Sequence, residues 1–174
     1  MLPSDYVSSM FLSNAQSIRY KLDELQAMLS ISKFPDLVMI TETHLTSLIP
    51  DTSLYLNKYS FLIRRDTILK ETDKQEGGIM LYIKRSRSIS FKQIFSCDSN
   101  DIREVLLLRI VPNRSPTTIS GFKVRLAYHP FRDKQNEYEM KNYLRKGLDL
   151  IVKKHPNDAI IVCGDFNPLN PPSF

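Results

Sequence analysis

The sequence predicts a layered α/β domain, and three observations carry that reading. Two short, continuous apolar runs, 37–40 and 159–163, have the character of strands covered on both faces. Each follows a stretch of helical periodicity, and several β-type runs separated by turn residues lie between them. At 174 residues and 42% hydrophobic content the chain can bury one sizeable core, so a single domain over 1–174 is expected.

The elements follow in order. After a lead-in containing Phe11 and Leu12, residues 17–30 place Ile18, Leu22, Leu25 and Leu29 at helical spacing, with Arg19, Lys21, Asp23 and Glu24 on the other side. Pro35-Asp36 ends this helix, and Leu37-Val38-Met39-Ile40 is the first buried strand. Runs at 59–63, 79–83, 89–94, 105–111 and 124–128 are strands spaced for hairpins. The polar stretch 67–76 reads as an exposed loop, Gly77-Gly78 as a tight turn, and Pro112 and Pro116 mark another. Residues 134–154 return to helical spacing, with Met140, Leu144, Leu148, Ile151 and Val152 opposite lysines and arginines; Gly147 weakens that helix without removing it. Pro156-Asn157-Asp158 breaks the pattern, and 159–163 is a second central, buried strand leading into Gly164-Asp165-Phe166-Asn167. The proline-rich tail 168–174 cannot continue regular structure.

Composition narrows the function classes. Lys+Arg exceeds Asp+Glu by 24 to 19, giving +5, a mild excess that favours phosphate-rich partners through steering and counterion release. Cys97 and Cys163 are far apart and outside any Cys-x-x-Cys pattern, which reads as buried free thiols in a reducing compartment. A basic leader is lacking and no run approaches the ~18 apolar residues of a membrane span, so a soluble intracellular chain is expected. His44, His129 and His155 lack zinc-site spacing, and no Gly-rich phosphate loop, Cys-His nucleophile or Gly-x-Ser-x-Gly elbow occurs.

Three polar sites stand at the ends of apolar runs, where strands deliver side chains to a sheet edge: Asn14, Glu42, and Asp165 with Asn167. A carboxylate there is partly desolvated and needs a cation or several donors to stay charged, which suits a hard metal ion. Each has a plainer reading. On that reading Glu42 is a surface residue, Gly-Asp-x-Asn a turn, and Asn14 a helix cap. Tyr128 is either a phenol for a phosphate or a rim residue before a proline turn, and Arg64-Arg65 either contacts phosphate or is a solvated strand end.

Taken in order, the motifs form a series: Ser13-Asn14-Ala15-Gln16-Ser17-Ile18, Lys21-Leu22-Asp23-Glu24-Leu25, Pro35-Asp36, Thr41-Glu42-Thr43-His44-Leu45, Arg64-Arg65-Asp66, Gly77-Gly78-Ile79 with Leu81-Tyr82-Ile83, Ala127-Tyr128-His129-Pro130 and Gly164-Asp165-Phe166-Asn167. Over essentially the whole chain this series resembles the endonuclease domain of retrotransposons lacking long terminal repeats, a branch of the endonuclease/exonuclease/phosphatase superfamily. The resemblance implies a four-layer α/β sandwich of two facing mixed sheets flanked by helices, incomplete at its C-terminal end. It further implies that Glu42 binds a divalent metal, Mg²⁺ or Mn²⁺, and that Asn14 organises the same region. Tyr128 would steady the scissile phosphate, Asp165 position or deprotonate the attacking water, and Asn167 orient the phosphate or the water.

The implied partner is DNA, contacted mainly at its phosphates, with no membrane involved and a nuclear location if genomic DNA is the target. Family members also carry a later Ser-Asp-His motif, and nothing like it occurs in these 174 residues. Weak or absent activity of the isolated chain is therefore expected, the alternative being a non-catalytic relic that binds nucleic acid or protein. His129 stands where this branch often has Arg, and Gln16 where related repair nucleases have an acidic residue. A phosphatase of inositol lipids or sphingolipids shares the scaffold but fits the Thr-Glu-Thr and Arg-Arg-Asp contexts less well.

Overall fold

Alternation along the strands builds two sheets whose apolar faces meet. The computed structural model describes residues 9–67, 77–85, 89–96, 104–112, 119–129 and 134–167. Strands β1 (Met10–Asn14), β2 (Leu37–Thr41), β3 (Tyr59–Arg65) and β4 (Ile79–Lys84) form the first sheet, in the order β1-β2-β4-β3. The second contains β5 (Ile89–Ser96), β6 (Glu104–Pro112), β7 (Gly121–Tyr128) and β8 (Asp158–Asp165), ordered as numbered. Both sheets are mixed: β1 runs parallel to β2 and β7 parallel to β8, while the other pairs are antiparallel. Each parallel pair needs a crossover, supplied by helix α1 (Leu22–Ile31) in the first sheet and α2 (Lys134–Lys154) in the second.

Leu37, Met39, Leu81 and Ile83 of the first sheet meet Leu106, Leu108, Val124 and Leu126 of the second in the central core. On the outer faces, Leu25 and Leu29 of α1 pack on Val38, Ile40, Met80 and Tyr82, and Met140 and Leu144 of α2 pack on Val105 and Ala127. Each fully buried aliphatic side chain contributes about 1.5–3 kcal/mol. The result is the expected four-layer sandwich. Helix α2 matches its expected bounds; Glu137 in its first turn and Lys153 and Lys154 in its last complement the helix dipole.

Several expectations change. The first helix starts at Leu22 rather than residue 17, because the Ser17 and Ile18 amides donate to the carbonyls of Glu42 and Thr43 instead of joining a helix. Ile18 still reaches the core, so the periodic pattern was real although its start lay outside the helix. The lead-in is a full strand, β1, and a 3-10 turn at Asp51–Leu54 was not foreseen. Strand β7 begins at Gly121, three residues before the expected start. β2 is central and buried throughout, as expected, but β8 is an edge strand of intermediate burial. Its apolar residues, Ile161 and Cys163 among them, pack against the core from the rim of the sheet, where among the described residues β7 is its one strand neighbour.

Arg64 and Arg65 are not a solvated end. The Arg64 Nε lies 3.0 Å from Asp51 and 3.2 Å from Asp66, its Nη2 donates to the Ile49 carbonyl at 2.6 Å, and Arg65 is buried. Cys163 is a free thiol, and burial pushes its pKa up to about 11. Cys97, residues 68–76 of the expected loop, Pro116 and the tail 168–174 lie outside the described residues. No described helix is long and apolar enough to cross a membrane.

Candidate active site

The register of the two sheets brings the candidate residues to one end of the sandwich. Across the first sheet, Asn14 stands opposite Thr41, which pairs with Ile79, which pairs with Arg65. Across the second, Glu104 stands opposite Tyr128, which pairs with Asp165. Glu42 follows Thr41 directly, so its backbone leaves the first sheet at this same end.

Asn14 is not a helix cap. Its Nδ2 donates to Asp165 Oδ2 at 2.6 Å, a bond that joins the two sheets across 151 residues of sequence, while its Oδ1 accepts from the Gln16 amide at 3.0 Å. The other carboxylate oxygen, Asp165 Oδ1, accepts from the Asn167 amide at 3.0 Å. Asn167 in turn donates its Nδ2 to the His129 carbonyl at 2.8 Å, and the His129 amide donates to the Asp165 carbonyl at 2.9 Å. Gly-Asp-x-Asn is thus a turn, as the plainer reading had it, but one clamped against the end of β7. Gly164 makes the approach possible: its φ is +145°, and a Cβ there would collide with the Ala127 carbonyl.

Left-handed backbone conformations gather at this end. Glu42 and His44 both have φ of 51°, Gln16 44°, Ser17 79° and Asn167 47°. Such conformations in non-glycine residues persist only where surroundings over-determine them. Here the Ser17 amide holds the Glu42 carbonyl at 2.8 Å, and the Thr43 and His44 amides donate to the carbonyls of Gly78 and Gly77 at 3.1 and 2.9 Å. Glu42 is half-buried, with its Oε2 3.9 Å from the His44 Nε2. Tyr128 is more buried than a rim residue, at 6% exposure, because its ring joins the central core.

A further acidic residue occupies this end, one the sequence reading passed over. Glu104 is buried at 6% exposure and its Oε2 accepts from the Gly78 amide at 2.7 Å. The signal was available: a lone Glu directly before an apolar run, at the start of a strand antiparallel to β7, reaches the same end as a residue that closes a strand. The sequence assigns His129 no role in the site, yet its main chain holds the Asp165 turn. Its side chain is buried, and burial lowers its pKa against an opposite pull from Glu137.

Among the described residues no three His, Cys, Asp or Glu side chains gather to hold a metal on their own. Glu42 offers a single half-buried carboxylate, the hard oxygen donor that a divalent cation takes when water and substrate phosphate fill its remaining positions.

The sequence profile of the endonuclease/exonuclease/phosphatase family matches residues 10–167. No curated protein matches in sequence. Among solved structures, the AP endonuclease of Leishmania major superposes with a TM-score of 0.62 at 19% identity, covering 91% of this chain and 54% of that one. The catalytic domain of Xenopus laevis APE2 gives 0.63 at 15% identity, covering 91% and 58%. A Neisseria 3' phosphatase bound to a product DNA hairpin gives 0.58 at 15% identity, covering 92% and 58%. The chain therefore spans little more than half the length of these structures, and at such identities they speak for the fold alone. The family match covers nearly the whole described chain, and on that ground the protein belongs to the endonuclease/exonuclease/phosphatase family.

Proposed function

We propose that this chain carries metal-side and water-side groups of a phosphodiesterase that cuts DNA, the endonuclease of a retrotransposon lacking long terminal repeats. The observation that carries the reading is the bond from Asn14 to Asp165, made at the end of the sandwich where Glu42 is held in a left-handed conformation. Family membership supports phosphodiester hydrolysis, and the ordered Thr-Glu-Thr, Arg-Arg-Asp and Gly-Asp-Phe-Asn motifs support the retrotransposon branch.

Glu42 would hold the divalent ion. When bound, Mg²⁺ or Mn²⁺ supplies Lewis-acid stabilisation of charge on the phosphoryl oxygens. Asn14 and the Asn167 amide each orient one oxygen of Asp165, leaving that carboxylate lone pairs to accept a proton from the attacking water. Asn167 keeps its Oδ1 and one N–H for that water or for the phosphate, after its bond to His129. The Tyr128 phenol donates to the scissile phosphate. As the water oxygen bonds to phosphorus, the ester P–O bond breaks and the leaving oxygen must gain a proton, a step to which no assigned residue contributes. General acid help of this kind supplies roughly 10²–10⁴-fold, so this 174-residue chain is expected to cut slowly.

The test is nicking of supercoiled plasmid by the purified chain with Mg²⁺ or Mn²⁺, beside Glu42→Ala, Asp165→Ala and Asn14→Ala. Slow, metal-dependent nicking lost in the first two variants and reduced on the order of 10²-fold in the third is expected. Activity indifferent to metal and to all three substitutions would discard the site. Duplex binding without nicking under any condition would instead identify the non-catalytic relic.

A further inference from the structure

Glu104 has no part in the chemistry described above, yet it is a buried acidic side chain at the active end and comes from the sheet opposite Glu42. We propose that Glu104 is a positioning residue that sets the backbone carrying Glu42 by clamping the Gly77-Gly78 turn across the sandwich; the proposal rests on the reading of Glu42 as the metal ligand.

The connection runs through three bonded steps. The Glu104 Oε2 accepts from the Gly78 amide at 2.7 Å. The Gly78 and Gly77 carbonyls accept from the Thr43 and His44 amides at 3.1 and 2.9 Å. Those two amides belong to the segment directly after Glu42, whose φ of 51° is unfavourable without such support. The turn also fits its surroundings tightly on both sides. A Cβ on Gly77 would strike Glu104, and one on Gly78 would strike the Thr43 side chain, with Thr67 Oγ1 at 3.1 Å and the His44 amide nitrogen at 3.3 Å. With φ of 91° and 85°, the two glycines occupy a conformation that residues with a side chain rarely adopt.

Two inter-sheet bonds thus flank the site, Asn14 to Asp165 on the β1/β8 side and Gly78 to Glu104 on the β4/β6 side. Glu42 and Tyr128 lie between them, because Thr41 pairs with both Asn14 and Ile79, and Tyr128 with both Glu104 and Asp165. An ion needs its ligand held within a few tenths of an ångström, and partners that orient a ligand typically govern 10–100-fold of metal affinity.

The experiment compares wild type with Glu104→Ala, Glu104→Asp, Glu104→Gln and Glu42→Ala by Mn²⁺ titration and by amide hydrogen exchange, with thermal melting as a check of folding. Alanine removes the acceptor. Aspartate keeps the charge but withdraws the acceptor by about 1.5 Å, and glutamine keeps an acceptor in place without the charge. Expected are Mn²⁺ affinities about tenfold weaker in the alanine and aspartate variants and near wild type in the glutamine variant. The amides of Gly78, Thr43 and His44 should lose protection in the same two variants, while Leu81 and Leu106 in the core keep theirs. Should Glu104→Ala fail to fold, Glu104→Asp carries the comparison. Unchanged protection in the aspartate variant, or a glutamine variant that behaves like alanine, overturns the clamp. Absence of Mn²⁺ binding in wild type, or binding unaffected by Glu42→Ala, would count against the metal reading of Glu42 instead, and the exchange data would still judge the clamp.

Discussion

His129 shows how one residue serves structure and site together. Its main chain pins the turn that carries Asp165 and Asn167, while its ring lies buried with Nε2 unpartnered among the described residues. Burial lowers its pKa in the folded state, so the native protein binds fewer protons than the unfolded chain near the unperturbed value of about 6.5. The associated stability is fully present above that value and is lost as pH falls through it toward the folded pKa. Urea midpoints should therefore drop between about pH 7 and 5 in wild type, and His129→Gln should flatten that drop. An undiminished drop in the variant would mean that another group titrates.

At the scale of an element, α2 carries a glycine in its interior for a reason the helix itself does not supply. Arg125 projects from β7 under the helix, where its Nη1 donates to the Leu144 carbonyl at 2.8 Å and its guanidinium lies 5.1 Å from the centre of the Tyr143 ring. A methyl at position 147 would stand 2.5 Å from that Nη1. In an open helix Gly→Ala stabilises by about 1 kcal/mol; here Gly147→Ala should destabilise by roughly 1–3 kcal/mol through overpacking against a buried cation. In an Arg125→Ala background the same change should become neutral or stabilising, a coupling that a double-mutant cycle in urea reads directly. Equal effects in both backgrounds would remove the steric explanation.

For the molecule as a whole, the formal charge of +5 bears on partner choice more than on folding. If DNA is the ligand, contacts should be phosphate-directed and weak in sequence preference. Affinity for a labelled duplex should then fall more than about tenfold between roughly 50 and 200 mM salt as counterion release loses its advantage. An affinity that does not respond to salt would point to a different class of ligand.

Periodicity and motif order by themselves determined the layered α/β class, both crossover helices, the buried strand β2 and the family, because each depends on local spacing or on a series of short patterns. They also singled out Asn14, Glu42, Asp165 and Asn167, since polar residues at the ends of apolar runs are visible in one dimension, and Tyr128 through its place in the motif series. Tertiary structure alone decided that β8 lies at an edge, that Arg64 and Arg65 are enclosed, that Asn14 meets Asp165, and that Glu104 reaches Gly78. The physical reason is that an apolar pattern reports which faces avoid water but not what covers them. Contacts between sheets are set by register and by the packing of layers, and those bring together residues that no local spacing connects.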